Sequence, residues 1–571
     1  MKAASLLYVL SAPLLFVNAD TNSTDHQQWE ESLDAFIMIQ QDISLQGMLN
    51  NIVDGMVVAG RSDPDYWFTW TRTAALTFKI LIERSNSEYW DMRDTPEISD
   101  HIADYVLSQE ELQTVRNPSG GIRSGGLGEP KFNVNGTAFN SAWNRPQQDG
   151  PALRAITLII YAEKLLANAG YLDQDSDVWE IWPSIQEDLE HTVRYWNHTS
   201  FDMWEETKGS SFFTLSASHR ALVQGIDLAE RLGERCDGCA ATAPQILCLM
   251  DRFWDLKHMH ANLNAKGQRS GIDAGTILSS VYTALANHKT VTDSFRPLYG
   301  INTGIAQGQG VAVGRYPEDN NHGGNPWYVT TLGAAEQLYR AGLQWQDQGQ
   351  LTIDETSLPF FRDLLPTISV GTYRSGSDPA IFQSVLSAVR NYADSYMALV
   401  QKYTPTDGGL PEQFDRNNGV AVSASNFTWS HAAFYTAANA RASVRGYFWP
   451  ELINHSFSSS QCYCHVRVTF RVRSDPGKVL YVVGDVRELG DGKKEDARML
   501  RQERGGSEFQ YQYANYSAQI ELPASTRINY HYFMLGVGRP KEEAKYEYRH
   551  IETGDCGSDV EILGDVFIPR Y

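Results

Sequence analysis

The chain has 571 residues, 48 Lys+Arg against 69 Asp+Glu, and a formal charge of −21. Only 20% of residues are charged and 42% are hydrophobic, so there is ample apolar material for a core and intrinsic disorder is excluded. A chain this acidic repels phosphate, which makes nucleic acid and anionic membranes poor partners and a neutral or cationic substrate the better expectation.

The N-terminus reads as a secretory signal. Lys2 supplies a positive start, Leu6–Phe16 a short apolar stretch, and Val17-Asn18-Ala19 a small-residue cleavage site. No later stretch is long enough to span a bilayer. Six sequons, at Asn22, Asn135, Asn197, Asn426, Asn454 and Asn515, agree with export. Six cysteines lie at 236, 239, 248, 462, 464 and 556. In an oxidising compartment Cys236-Asp-Gly-Cys239 reads as a local disulfide, with a redox pair or half a zinc site as weaker alternatives.

From residue 31 to 445 helical periodicity dominates. Clear runs cover 152–170, 178–196, 334–343 and 381–400, among roughly a dozen such segments. Long Gly/Pro/Asn-rich loops, such as 117–135 and 315–326, separate them, and loops of that kind commonly carry function. An all-helical toroid with its loops converging at one end is expected. After residue 465 the texture changes. Segments 466–472, 479–483, 517–522 and 528–532 alternate apolar and polar residues, which predicts a small antiparallel β domain. The expected organisation is a signal peptide at 1–19, a helical domain at 20–453, a short linker at 454–464 and a β domain at 465–571. The charge divides unevenly: residues 465–571 hold 16 basic and 17 acidic residues, so the helical part carries almost all of the acidity.

One constellation carries chemistry. Phe201-Asp-Met-Trp-Glu-Glu206 places Asp202, Glu205 and Glu206 beside Trp204, and large apolar rings raise a carboxyl pKa for general-acid work. Leu410-Pro-Glu-Gln-Phe-Asp415 offers a second carboxylate ahead of a helix at Trp429. Glycoside hydrolysis needs two such groups flanking the scissile bond and aromatic platforms for the sugar.

Longer motifs extend that reading. Asp65-Tyr-Trp-Phe-Thr-Trp-Thr-Arg72, Gly126–Val134, Trp143-Asn-Arg-Pro-Gln-Gln-Asp-Gly-Pro-Ala-Leu-Arg154, Gly314-Arg-Tyr-Pro-Glu-Asp319, Gly324–Trp327 and Thr428-Trp-Ser430 follow one another in order. Through them the chain resembles the fungal glucoamylases, glycoside hydrolase family fifteen, over roughly residues 30 to 450. The resemblance implies an (α/α)6 barrel and an inverting, exo-acting hydrolase that releases β-glucose from α-1,4 glucans such as starch. It implies no metal or cofactor, a secreted location and a monomer. By the same resemblance Glu205 is the general acid and Glu412 the general base, with Asp202 the other candidate for the acceptor role. Arg72, Glu206 and Arg315 are then ligands of sugar hydroxyls, and Tyr66, Trp70, Trp143, Tyr316, Trp327 and Trp429 the aromatic lining. Inversion in such enzymes leaves about 6.5–9.5 Å between the carboxyls for water. Asp202 is placed on one helical turn with Glu205, hence on the same side of the sugar.

The chain departs from the family pattern at three places. The aspartate that follows Trp-Thr-Arg is Thr73, the arginine before Asp-Gly is Gln148, and a nearby tyrosine is Phe139. Loss of the cation at 148 is expected to favour protonation of neighbouring carboxyls. The β domain resembles, more loosely, the starch-binding module of many glucoamylases, through Val468-Thr-Phe470, Val483-Gly484 and Glu488-Leu-Gly-Asp491. All 14 tryptophans lie at or before Trp449, and Gly492 stands where the module's tryptophan is expected. His531 and Tyr548 are the nearest replacements for its other ligands. The module resemblance pairs Cys464 with Cys556, leaving Cys248 for Cys462. A rival reading is a catalytically impaired relative that binds glucan or another protein.

Overall fold

The computed structural model describes residues 25–62, 66–85, 95–169, 178–255, 257–263, 269–279, 285–443, 465–490, 492–503, 514–523, 527–535, 540–542, 549–553 and 559–566. The signal peptide, the linker, Asn22, Asn454, Cys462, Cys464, Tyr548 and Cys556 lie outside them.

Thirteen α-helices are described up to residue 441: α1 Asp25–Asn50, α2 Thr71–Ser85, α3 Thr95–Thr114, α4 Asp149–Ala169, α5 Val178–Tyr195, α6 Phe212–Leu232, α7 Cys239–Met250, α8 Gly275–Ser279, α9 Leu285–Ser294, α10 Tyr328–Gln348, α11 Leu358–Leu364, α12 Pro379–Tyr403 and α13 Thr428–Arg441. Six of them close a ring, α2 packing on α4, then α6, α8, α10, α13 and back to α2. The others lie outside it: α1 on α13, α3 on α2, α5 on α4 and α6, α7 on α6, α9 on α8, α12 on α10, and the short α11 against α9 and α12. This is the expected all-α (α/α)6 barrel, inner and outer helices alternating along the chain.

Sequence explains which helix goes where. Outer α5 carries its apolar residues at Val178, Ile181, Trp182, Ile185 and Leu189, a single stripe at helical spacing, with charges opposite. Inner α6 is covered on nearly every side and keeps small residues where neighbours press; a side chain at Gly225 would meet Leu189 of α5 at 2.5 Å. Ser211 caps the start of α6 by accepting from Thr214 N–H, and Gly233 ends it in the left-handed conformation. Between the rings Arg154 and Asp188, both fully buried, form a bidentate pair at 2.8 and 2.7 Å that ties α4 to α5.

The described residues of the second domain form a sheet of eight strands: β1 His465–Ser474, β2 Leu480–Gly484, β3 Arg498–Gln502, β4 Ala514–Pro523, β5 Arg527–Leu535, β6 Pro540–Glu542, β7 Arg549–Glu552 and β8 Asp559–Val566. Their order is β6-β5-β2-β3-β4-β1-β8, with β7 also on β5. All pairs are antiparallel except β1–β8. Val466, Val468, Phe470 and Val472, every second residue of β1, point into the module's own core. Arg467 on the opposite face reaches the barrel, its Nη1 3.1 Å from His198 Nδ1 and its Nη2 donating to Asn197 Oδ1 at 3.3 Å. Asn197 is thus buried at this contact, whereas Asn135, Asn426 and Asn515 are exposed. The sequon at 197 is therefore the least accessible of the four. Cys236 and Cys239 form the expected local disulfide at the start of α7, and Cys248 is disulfide-bonded too. Among the described residues no helix is long and apolar enough to cross a membrane.

Candidate active site

The inner helices deliver the chemistry at their N-termini. Arg72 is the second residue of α2, Asp149 the first of α4, Trp327 the residue before α10 and Trp429 the second of α13. The Glu205 loop runs through one short strand into α6, and Asp273 lies two residues before α8. Six helix N-termini therefore converge, and their partial positive charge favours carboxylates gathered there. Between them is a cavity of about 370 Å³ lined by Tyr66, Trp70, Arg72, Thr73, Lys131, Trp143, Trp204, Glu205, Arg315, Trp327, Glu412 and Trp429, among others.

Glu205 sits on this wall in a strained conformation, φ 65°. A non-glycine residue there costs about 1–3 kcal/mol and persists only where the surroundings over-determine it. Here they do. Glu205 N–H donates to Asp202 O at 2.9 Å, and Asn144 Nδ2 donates to Glu205 O at 2.6 Å. Its carboxylate accepts from Trp143 Nε1 at 2.8 Å and pairs with Arg72 at 3.2 Å. Burial nevertheless outweighs these donors and raises its pKa above the ordinary carboxylate value.

Adjacent Glu206 goes the other way. Burial alone would raise it, but Arg315 at 3.0 Å, the Tyr316 hydroxyl at 2.5 Å and Arg269 at 2.5 Å hold its pKa below the usual range. Arg315 is itself fixed by a bidentate pair with Asp319, both bonds 2.8 Å.

Asp202 is turned away from the cavity. No helix spans it; the segment is a turn in which Asp202 Oδ1 accepts from Glu206 and Thr207 N–H at 3.0 and 3.1 Å, and Oδ2 from Asn262 Nδ2 at 3.2 Å. The expected helical turn is corrected: a carboxylate that satisfies the loop's own N–H groups competes with helix formation. Asp202 builds the strained turn that aims Glu205.

Glu412 approaches on another loop, 5% exposed. The short strand at 413–414 pairs with 421–422 and brings Ser423 alongside it. Glu412 Oε2 accepts from Tyr66 Oη at 3.0 Å, Gln413 Nε2 at 3.1 Å and Ser423 Oγ. Oε1 accepts from no described residue and is left for a ligand or water. Burial raises this carboxyl's pKa also, and the three donors oppose that.

The structure thus brings Tyr66, Trp70, Arg72, Trp143, Glu205, Arg315, Trp327, Glu412 and Trp429 to one cavity, with Glu206 and Tyr316 behind Arg315. Several partners were not singled out in the sequence. Asp149 holds Arg72 at 2.6 Å, Asp273 accepts from Trp204 Nε1 at 2.9 Å, and Lys131 lies over the rings of Trp143 at 3.7 Å, Phe68 at 4.0 Å and Phe139 at 4.4 Å. Asp149, Asp319 and Lys131 stand inside the quoted motifs, so a signal existed. Gln413 follows Glu412 in its quoted segment, whereas Ser423 had no such signal, because only pairing of the two short strands makes it a neighbour of Glu412.

Of the three departures, Thr73 faces the cavity and Phe139 packs edge-on against Phe68 and Trp143. Gln148 is buried and its Oε1 lies 2.6 Å from His191 Nε2. Burial pushes His191 down to about 3, so a neutral ring donates to the amide. The residue at 148 meets this imidazole.

Two carboxyls on separate loops, facing one aromatic-lined cavity at the mouth of a helical toroid, are the arrangement that glycoside hydrolysis requires. The chain belongs to glycosyl hydrolases family 15, which it matches over residues 35–439, and residues 465–558 match the starch binding domain. It is 38% identical to a glucoamylase of Neurospora crassa over 93% of each chain, and 40% identical to glucoamylase P of Amorphotheca resinae over 88% of each. Among solved structures it superposes on the glucoamylases of Hypocrea jecorina and Hormoconis resinae, each with a TM-score of 0.71 over 94% of this chain, at 35 and 38% identity; the match spans 100 and 99% of those chains.

Proposed function

We propose that the chain is a secreted, monomeric glucan 1,4-α-glucosidase that removes β-D-glucose from the non-reducing ends of starch-like α-glucans with inversion. The observation that carries the roles is the split between neighbouring glutamates. Glu205, half-buried beside Trp70, Trp143 and Trp204, has its pKa raised by burial and is the better proton donor; Glu206, clamped by two arginines, is held lower and stays charged. Glu205 donates its proton to the glycosidic oxygen as the C1–O bond breaks. Water attacks C1 from the opposite face and yields its proton to Glu412 Oε1. Anionic Glu206 and Arg315 hold hydroxyls, and the tryptophans supply the walls. No metal or cofactor enters this scheme.

Thr73 supports weakened recognition of the terminal sugar, since the family places a charged acceptor there. A module without tryptophan supports weak adhesion to starch granules. The test is glucose release from maltose and soluble starch by the purified full chain, with Glu205→Gln and Glu412→Gln as controls and NMR identification of the first anomer formed. Release abolished in both variants, with the β anomer first, is expected. Equal and negligible release by all three proteins sinks the hydrolase reading in favour of a glucan-binding relative.

A further inference from the structure

A hairpin behind the active-site loop carries a second cluster. Trp254 pairs with Met259 across it, His260 N–H donates to Phe253 O at 2.8 Å, and Asp255 N–H donates to His258 O at 3.2 Å. His258 and His260 are two apart on the extended return strand, so they share one face while Met259 between them is buried on the other. Asp255 stands opposite them at the tip.

We propose that Asp255, His258 and His260 bind one divalent transition-metal ion, with zinc the best fit. The donor atoms are already assembled. Asp255 Oδ2 is 3.0 Å from His260 Nε2 and 3.4 Å from His258 Nδ1, and all three atoms lie within 4.8 Å of one another. Ligands at about 2.0–2.1 Å from a metal in tetrahedral or octahedral array stand roughly 2.9–3.4 Å apart, which both Asp–His distances match. Two imidazoles and one carboxylate suit zinc, copper, nickel or iron rather than calcium or magnesium.

The supporting shell is in place as well. Asp255 Oδ1 accepts from Lys257 and His258 N–H at 2.9 and 2.8 Å, which fixes the carboxylate and leaves Oδ2 for the metal. Gly271, at φ +86°, lets its backbone pass against His260; a Cβ there would come within 2.1 Å of Nδ1. A glycine is needed for that approach, and the contact holds the imidazole in its plane. Asp255 is exposed and both imidazoles are half-buried, so an ion can enter and water can complete its coordination. The chemistry of hydrolysis does not use this ion. Its place is structural: the same hairpin runs into Asn262, which donates to Asp202, and into Asn262–Leu263, which pairs with Ser210–Ser211 ahead of α6.

The test is calorimetric titration of chelator-treated full-length protein with Zn²⁺, alongside His258→Ala/His260→Ala and Asp255→Asn, with Co²⁺ d–d absorption as a second readout. One saturable equivalent in the wild type is expected, weakened at least about 100-fold in the double variant, since loss of supporting groups alone costs 10–100-fold. Zn²⁺ is expected to raise the melting temperature of the wild type and not of the double variant. Circular dichroism establishes that the variants are folded. Wild type and double variant titrating alike, or no saturable equivalent in the wild type, overturns the proposal.

Discussion

Replacing Thr73 by aspartate is the sharpest test of how this site recognises its substrate. Thr73 is the third residue of α2, 7% exposed, and lines the cavity beside Arg72. The first turn of α2 holds no acidic residue, so the partial positive charge of its N-terminus has no compensating side chain on that turn. An aspartate gains from that field and from Arg72, whose Nε is buried without a partner. It then offers a charged acceptor to a sugar hydroxyl. Such a bond is worth about 1.5–3 kcal/mol, which in the transition state is roughly a 10- to 100-fold rise in kcat/KM. The assay is initial-rate glucose release from maltose, with Thr73→Asn as the neutral control. Aspartate well above asparagine, and asparagine near threonine, is the expected order. A folded Thr73→Asp protein no faster than wild type refutes the reasoning, and would mean that the cavity recognises the terminal sugar through other groups.

Ser423→Ala removes a donor from the ionised form of Glu412, so its pKa rises; the acidic limb of the kcat/KM profile is expected to move up by as much as about one pH unit, and an unmoved limb would argue against Glu412 as base. Trp143→Phe removes the donor to Glu205 and is expected to shift the basic limb upward while lowering kcat/KM about tenfold, read from the same profile. Burial pushes Asp273 up to about 7, so its folded-state pKa exceeds the unfolded one and the stability linked to its protonated form is complete below about pH 4 and lost as pH rises through 7. Asp273→Asn keeps the acceptor for Trp204 without titrating; its melting temperature relative to wild type is expected to climb between pH 4 and 8, and a constant difference would be the contrary result. Arg154→Leu strands buried Asp188 and is expected to cost about 3–5 kcal/mol in denaturant unfolding, far more than a surface change.

The sequence alone determined the architecture, because both helical layers and the β module are written as local periodicity. The 178–196 run is α5, the 381–400 run lies within α12, and the four alternating segments are β1, β2, β4 and β5. Strands β3 and β6–β8 were not legible; their residues have little alternation and are held by neighbours already in the sheet. The principal acids were legible for a different reason, as residues inside long ordered motifs. What only the tertiary structure decided is which oxygen faces what. Glu205 and Glu206 are adjacent and chemically identical in the sequence, yet one lies against tryptophans and the other between two arginines contributed by other loops. Asp202 reads as a third active-site acid until its oxygens are seen to be consumed by the turn that strains Glu205. Asp255, His258 and His260 become a cluster only when a hairpin folds the first back on the other two. Charge state and coordination depend on distances across the fold, and a strand or helix period carries no information about those.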